Sequence, residues 1–298
     1  MTATPKTANL DSRLRFSVVI PAYNEGRHLA TTLAALAAQQ FPGAYEVIVV
    51  DNGSSDDTAQ VAREHGARVL HEPRPGVCRA RQRGTDAARG EIVVSTDADT
   101  VPSPDWLHKL DARFRDHPGA VAVAGPCRYG DPPWWAAVFP PLWFAAVGLV
   151  HRRFGHVFYL TATNLAFVRD GFPGYDPNLT QGGDEADILR RLRRRGPVLW
   201  AADNPVRTSS RRMDQGLPHT LVVSFGYHYL LNYVLNRVTA RPLMGPAPAI
   251  RPEHAGLVQQ RRRRWRTGLL LGTALLLTAT RTRRSGPTSP SRAKPGHG

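Results

Sequence analysis

Gly90-Glu91-Ile92-Val93-Val94-Ser95-Thr96-Asp97-Ala98-Asp99-Thr100 is an apolar strand run that ends in two carboxylates. Successive side chains of an extended chain point to opposite faces, so such a strand buries Ile92 and Val94 while delivering Asp97 and Asp99 to its C-terminal end. Ligands bind at that edge in open α/β sheets. Carboxylates are hard oxygen donors of the kind a divalent cation takes, and that cation commonly arrives with nucleotide phosphates. One Asp-Ala-Asp is a weak signal; its order relative to three other segments gives it weight.

Upstream, Phe16 to Ile20 reads as a first strand closed by Pro21. Leu29, Leu33, Leu36 and Ala37 then fall at helical spacing before a Pro42-Gly43 turn. Val47 to Val50 is a second strand ending at Asp51, and Ser55 or Asp56 is placed to cap a helix over Thr58 to His65. Ala67 to Leu70 fits a third strand, and Gly76 to Arg89 a helix ended by Gly90. Beyond the acidic pair, Asp105 to Arg115 reads as helix and Val121 to Ala124 as strand. This alternation predicts an α/β domain with a mixed, mainly parallel central sheet covered on both faces.

The chain changes character at Pro132. Trp134, Trp135, Phe139, Trp143 and Phe144 crowd an apolar segment interrupted by Pro140-Pro141. It reads either as a core helix broken by prolines or as a flap or interfacial helix beside an acceptor site. Gly182 to Gly196 returns to helix, with Ile188, Leu189 and Leu192 opposite a strongly basic face. Leu217 to Val238 is apolar and aromatic but carries His219, His228, Asn232 and Asn236. A cleaner apolar stretch, Leu269 to Leu277, is flanked by arginines and falls short of the roughly 20 residues a helix needs to span a bilayer. The expected division is a disordered N-terminus over 1–14, a catalytic domain over 15–215 with an apolar segment at 132–160, a helical membrane-associated region over 216–285, and a disordered tail over 286–298.

Composition narrows the partners. Thirty-nine basic residues against 24 acidic ones give a formal charge of +15, which favours anionic partners. The arginines cluster beside apolar segments instead of interleaving with stacking aromatics, which fits an anionic membrane surface and makes nucleic acid an unlikely partner. Cys78 and Cys127 are too few for a disulfide framework and read as reduced thiols. Met1 to Arg15 is polar, with no apolar core of signal-peptide length, so the expected location is the cytoplasmic face of the cell membrane.

Four segments together resemble the inverting glycosyltransferases of family 2, which have the GT-A fold. They are Ser17-Val18-Val19-Ile20-Pro21-Ala22-Tyr23-Asn24-Glu25; Val49-Val50-Asp51-Asn52-Gly53-Ser54-Ser55-Asp56-Asp57-Thr58; Ala80-Arg81-Gln82-Arg83-Gly84 followed by Asp97-Ala98-Asp99; and Gly183-Asp184-Glu185-Ala186-Asp187. The resemblance covers roughly Arg15 to Arg212 and is of the membrane-associated bacterial type. It implies a nucleoside-diphosphate sugar as donor, with Pro21, Ala22, Tyr23 and Glu25 lining its pocket and Asp51 accepting a hydrogen bond from the base. Mg2+ or Mn2+ would be held by Asp99, with Asp97 a second ligand or near the ribose. Arg81 occupies the family's arginine position, followed by Gln82 where an asparagine is usual. Arg211 and Arg212 resemble a loop that closes over the donor phosphates, although the same arginines would also serve attachment to a membrane. A third metal ligand is not obvious; His219 is one candidate.

The family usually presents Glu-Asp where this chain has Asp184-Glu185. Position assigns the base to Glu185, whereas side-chain identity favours Asp184; helix capping is the bland reading of both. Trp134 and Trp135 fall on the acceptor or membrane side, which points to a lipid-linked or glycolipid acceptor. A sugar-1-phosphate nucleotidyltransferase would bring a glycine-rich, basic phosphate loop near the N-terminus, and Pro21 to Arg27 does not resemble one. The non-enzymatic alternative is a membrane-bound nucleotide-sugar sensor or scaffold with a degenerate transferase domain, kept open by the reversed acid pair and Gln82.

Overall fold

The computed structural model describes residues 14–177, 179, 183–211, 213, 216 and 218. The chain alternates strand and helix through its first half: β1 (Phe16–Ala22), α1 (Gly26–Ala37), β2 (Tyr45–Asp51), α2 (Thr58–Glu64), β3 (Arg68–His71), α3 (Val77–Ala87) and β4 (Ile92–Ser95). A short β5 (Thr100–Pro102) and α4 (Trp106–Asp116) lead to β6 (Ala122–Ala124) and β7 (Cys127–Gly130). Then follow α5 (Phe139–Phe154), a 3-10 turn (Ala162–Asn164), β8 (Leu165–Val168), α6 (Asp184–Arg193), β9 (Val198–Trp200) and β10 (Val206–Ser209).

Seven strands form the main sheet in the order β3-β2-β1-β4-β8-β6-β9. The β1, β2, β3 and β4 pairings are parallel, as is β6 with β9, while β8 runs antiparallel to both β4 and β6. The sheet is therefore mixed and mainly parallel. β1 is buried at six of its seven positions and β4 at all four, as expected of central strands covered on both faces. Register aligns Pro21 with Val50 and Ala22 with Asp51, so β1 and β2 finish level at one edge. Ser95 pairs with Val19, and the Thr96 amide extends this ladder to the Val19 carbonyl at 3.2 Å, which places the acidic loop after β4 beside them.

Two packing contacts fix the elements that carry the site. Gly84 lets α3 lie close on the sheet: a Cβ there would sit 2.3 Å from Val19 Cγ1 and 3.0 Å from Val50 Cγ2. From α1, the buried Thr32 hydroxyl donates to the Ala98 carbonyl at 2.9 Å and pins the Asp97-Ala98-Asp99 loop from behind.

A second, three-stranded sheet, β5-β10-β7, lies outside the sequence expectation. Its strands have three or four residues each, too short for a periodic pattern to register. The reading of 132–160 as a helix broken by prolines is also corrected. Pro140 and Pro141 stand at the start of α5, where their missing amides would have had no intrahelical partner, so they begin the helix instead of interrupting it. At 16 residues α5 is too short to span a bilayer, and no helix among the described residues is long and apolar enough to do so. The expected C-terminal membrane-associated region and tail lie outside the described residues except at 216 and 218, as does the N-terminal segment before residue 14.

Candidate active site

At the shared edge of β1, β2 and β4 two loops are laced together. The Asn24 amide donates to Ser54 Oγ (3.0 Å), the Ser55 amide to Asn24 Oδ1 (2.8 Å), and the Glu25 amide to Thr58 Oγ1 (2.8 Å). Asn24 adopts φ of +51°, a left-handed conformation that asparagine tolerates better than most residues. Asp56, not Ser55, engages the start of α2, where its Oδ1 accepts from the Thr58 amide at 3.0 Å. Asp51 is buried; its Oδ1 accepts from the Ser54 amide at 3.1 Å, and its Oδ2 lies 3.5 Å from His71 Nδ1. Ala22 is buried and contributes its carbonyl to the Asn52 amide, Pro21 is partly buried, and Tyr23 is exposed.

The acids after β4 each face an arginine from a distant part of the chain. Arg81, on α3 and 5% exposed, donates from Nη2 to Asp97 Oδ1 at 2.9 Å and from Nη1 to Asp184 Oδ2 at 3.0 Å. Burial alone would lower its pKa, but the charges of Asp97 and then Asp184 more than reverse this, so the guanidinium stays protonated. Thr163 completes Asp97 by donating from Oγ1 to Oδ2 at 2.5 Å. On the other side, Arg211 Nη2 donates to Asp99 Oδ2 at 2.6 Å and to both oxygens of Glu25 at 3.0 and 3.1 Å. Thr208, on β10, donates to Asp99 Oδ1 at 3.3 Å. The small sheet thus brings residues more than a hundred positions downstream onto the acidic loop. Arg212 lies outside the described residues, as does His219.

Asp184 and Glu185 open α6 behind Gly183, whose φ of +89° suits glycine. Asp184 turns to Arg81 and Glu185 to the segment before β8. Glu185 Oε1 accepts from the Ala162 amide at 3.0 Å and Oε2 from the Tyr159 hydroxyl at 3.2 Å. Burial, and next the charge of Asp184, push its pKa up to about 7, against the hydrogen bond from Ala162. Such a carboxylate is poised to exchange a proton near neutrality.

Several partners escaped the sequence reading. Thr163 and Tyr159 hold the acids, and the buried Asn164 accepts from Trp106 Nε1 (3.0 Å) while donating to the Pro126 and Asn204 carbonyls. A signal was present: Thr161-Ala162-Thr163-Asn164 is a polar run directly before the β-type run Leu165-Ala166-Phe167-Val168. Gln82 does not face the acids; it accepts from the Tyr175 amide at 2.7 Å and donates to Asp86. Of the tryptophan pair, Trp134 is 81% exposed, whereas Trp135 is buried with Ala136 and Met213, so only Trp134 presents its ring outward. Cys78 and Cys127 are free and buried, and burial raises both thiols well above their ordinary range.

Among the described residues no group of three His, Cys, Asp or Glu side chains converges as a metal cluster. A cationic group is nonetheless already seated on Asp99, because Arg211 Nη2 occupies its Oδ2. The Asp99 carboxylate therefore suits positive charge, with hard oxygen donors of the type Mg2+ and Mn2+ select.

The glycosyl transferase family 2 profile matches residues 17–172, just over half of the 298-residue chain. The chain belongs to glycosyl transferase family 2. An uncharacterised glycosyltransferase of Mycobacterium tuberculosis, Rv0539, is 41% identical over 134 residues, covering 45% of this chain and 56% of that protein. The glucosyl-dolichyl phosphate glucuronosyltransferase of Haloferax volcanii is 31% identical over 189 residues, covering 58% and 59%. The chain thus matches little more than half the length of these relatives. Among solved structures, the mannosyltransferase PcManGT of Pyrobaculum calidifontis, in complex with GDP-Man and Mn2+, superposes with a TM-score of 0.59 at 22% identity, covering 80% of this chain and 67% of that one. The glucosyl-3-phosphoglycerate synthase of Mycobacterium tuberculosis does so at 0.55 and 22%, covering 78% and 82%. These likenesses establish a GT-A-like fold.

Proposed function

We propose that this family 2 member transfers a sugar from a nucleoside-diphosphate sugar to an acceptor hydroxyl or phosphate, with inversion at the anomeric carbon. The observation that carries the reading is Arg81, which bonds the donor-side acid Asp97 and the acceptor-side acid Asp184 at once and so sets the two halves of the reaction around one buried cation. Beside it stands Glu185, whose pKa near 7 suits a general base. For a hydroxyl acceptor, Glu185 takes the proton as the oxygen forms its bond to the anomeric carbon. The bond from that carbon to the diphosphate breaks, and the diphosphate leaves with the electron pair. Asp51 and Glu25 would take the base and ribose, with Pro21, Ala22 and Tyr23 lining the same pocket, and Arg211 with Arg212 would face the phosphates. Bound at Asp99 with Asp97 beside it, Mg2+ or Mn2+ would neutralise the charge of the departing diphosphate.

The acceptor is read as lipid-linked and the site of action as the cytoplasmic face of the cell membrane, with 15–215 as the catalytic domain and 216–285 as a membrane-associated region. Supporting this, Trp134, Phe139, Leu142, Leu149 and Phe154 expose large apolar side chains around α5. The stretch 132–169 contains no acidic residue and includes Arg152 and Arg153, a composition suited to anionic head groups. The name of the Haloferax volcanii relative, with its dolichyl phosphate, fits the same class.

A panel of nucleotide-sugars with Mg2+ or Mn2+ and membrane lipid, read by released nucleoside diphosphate, tests the reaction. Release is expected with one donor class, lost in Asp99→Ala through donor binding and in Glu185→Gln through turnover. Pyrophosphate release, or release indifferent to both substitutions, would overturn it.

A further inference from the structure

Arg211 stands at an unusual meeting point. Its Nη2 lies 2.6 Å from Asp99 Oδ2 and about equally far, 3.0 and 3.1 Å, from the two oxygens of Glu25. The other Asp99 oxygen accepts from the Thr208 hydroxyl. The side chains are only 20%, 17% and 7% exposed for Arg211, Asp99 and Glu25, so water screens this contact weakly. Burial works against the guanidinium, but the bonds to Glu25 and Asp99 outweigh it and hold its pKa up. Arg211 Nη1 is also buried and has no hydrogen-bond partner among the described residues.

A divalent cation bound to Asp99 Oδ2 at about 2.1 Å would stand close to the guanidinium nitrogen that already donates to this oxygen, and in so buried a place the two positive charges repel each other strongly. We propose that Arg211 is a resident counter-cation of Asp99 that competes with the divalent cation for this oxygen, and that a cation–diphosphate releases it from Asp99 while Glu25 keeps it tethered at the site. The unpartnered Nη1 then has an acceptor in a phosphate oxygen. The inference deepens the reading of Asp99 as the cation ligand and rests on it. It gives Glu25 a role as the pivot of Arg211, in addition to lining the donor pocket. It also makes binding of cation and nucleotide mutually dependent, since the cation by itself must displace Arg211 without offering phosphate in return.

Mn2+ alone, titrated into the full chain and followed by the electron paramagnetic resonance of the free ion, separates the possibilities. Arg211→Gln should bind Mn2+ about tenfold more tightly than the native protein, the factor expected from removing one charge-assisted hydrogen bond. Arg211→Lys, which keeps the charge without the fork, should fall between them and serves if the glutamine variant does not fold. Asp99→Asn should lose the site. Unchanged or weaker Mn2+ binding in both Arg211 variants, with the Asp99→Asn loss intact, overturns the competition alone. Native-like binding in Asp99→Asn overturns the competition and the cation reading together.

Discussion

Glu185 and Arg81 carry opposite demands at the residue scale. As the proposed base, Glu185 must be ionised to accept a proton, and it reaches that form only as pH rises through about 7. Turnover should therefore climb along an acid limb near neutrality, and Glu185→Gln should remove the limb and lower kcat by about 10²–10⁴. The same shift acts on folding in the opposite sense. The native state holds this proton more tightly than the unfolded chain, so the stabilising contribution is full below 4.5 and is lost as pH rises through about 7. Thermal unfolding at pH 8 should accordingly find Glu185→Gln more stable than the native protein. Arg81 balances the neighbouring acids. Arg81→Met removes the cation that neutralises the buried Asp184 and should cost about 3 kcal/mol in a urea titration. It should also move the acid limb upward, because the Arg81 charge lowers the Glu185 pKa.

At the scale of elements, the site depends on how closely α3 and the small sheet approach the main one. Gly84 sits where any side chain would collide with Val19 and Val50, and α3 carries Arg81. Gly84→Val should cost about 1–3 kcal/mol through overpacking. By lifting α3 it should also raise the donor KM, which a surface substitution of equal thermal effect would leave alone. β10 pairs with β5 and β7 and thereby fixes Thr208 beside Asp99. The apolar and alternating patterns in the sequence located β1, β2, β4, α1 and α4 within a few residues, because each buries enough side chains for a period to appear. The three strands of the small sheet left no such trace, and the antiparallel entry of β8 is a property of connection, invisible in a local pattern.

Among the described residues, a cluster of paired acids and arginines at the sheet edge contrasts with the outward apolar side chains of α5. If α5 meets a bilayer, Leu142→Asp and Leu149→Asp should each reduce co-sedimentation with anionic vesicles without changing thermal stability, since both side chains are more than half exposed. Raising the salt to about 1 M should weaken native binding by screening Arg152 and Arg153 from the head groups. Equal sedimentation of both variants with the native protein would remove α5 from the account.

The strand–helix rhythm, the placement of Asp51, Asp97 and Asp99 at or just past strand ends, and the family were all readable in the order of residues. These follow from short-range periodicity and from motifs a few residues long. That Arg81 joins Asp97 to Asp184, that Arg211 joins Asp99 to Glu25, and that Trp135 is buried while Trp134 is not emerge from the folded arrangement. Each depends on groups brought together by strand order and helix packing, where the energy of a buried charge is set by neighbours remote in the chain.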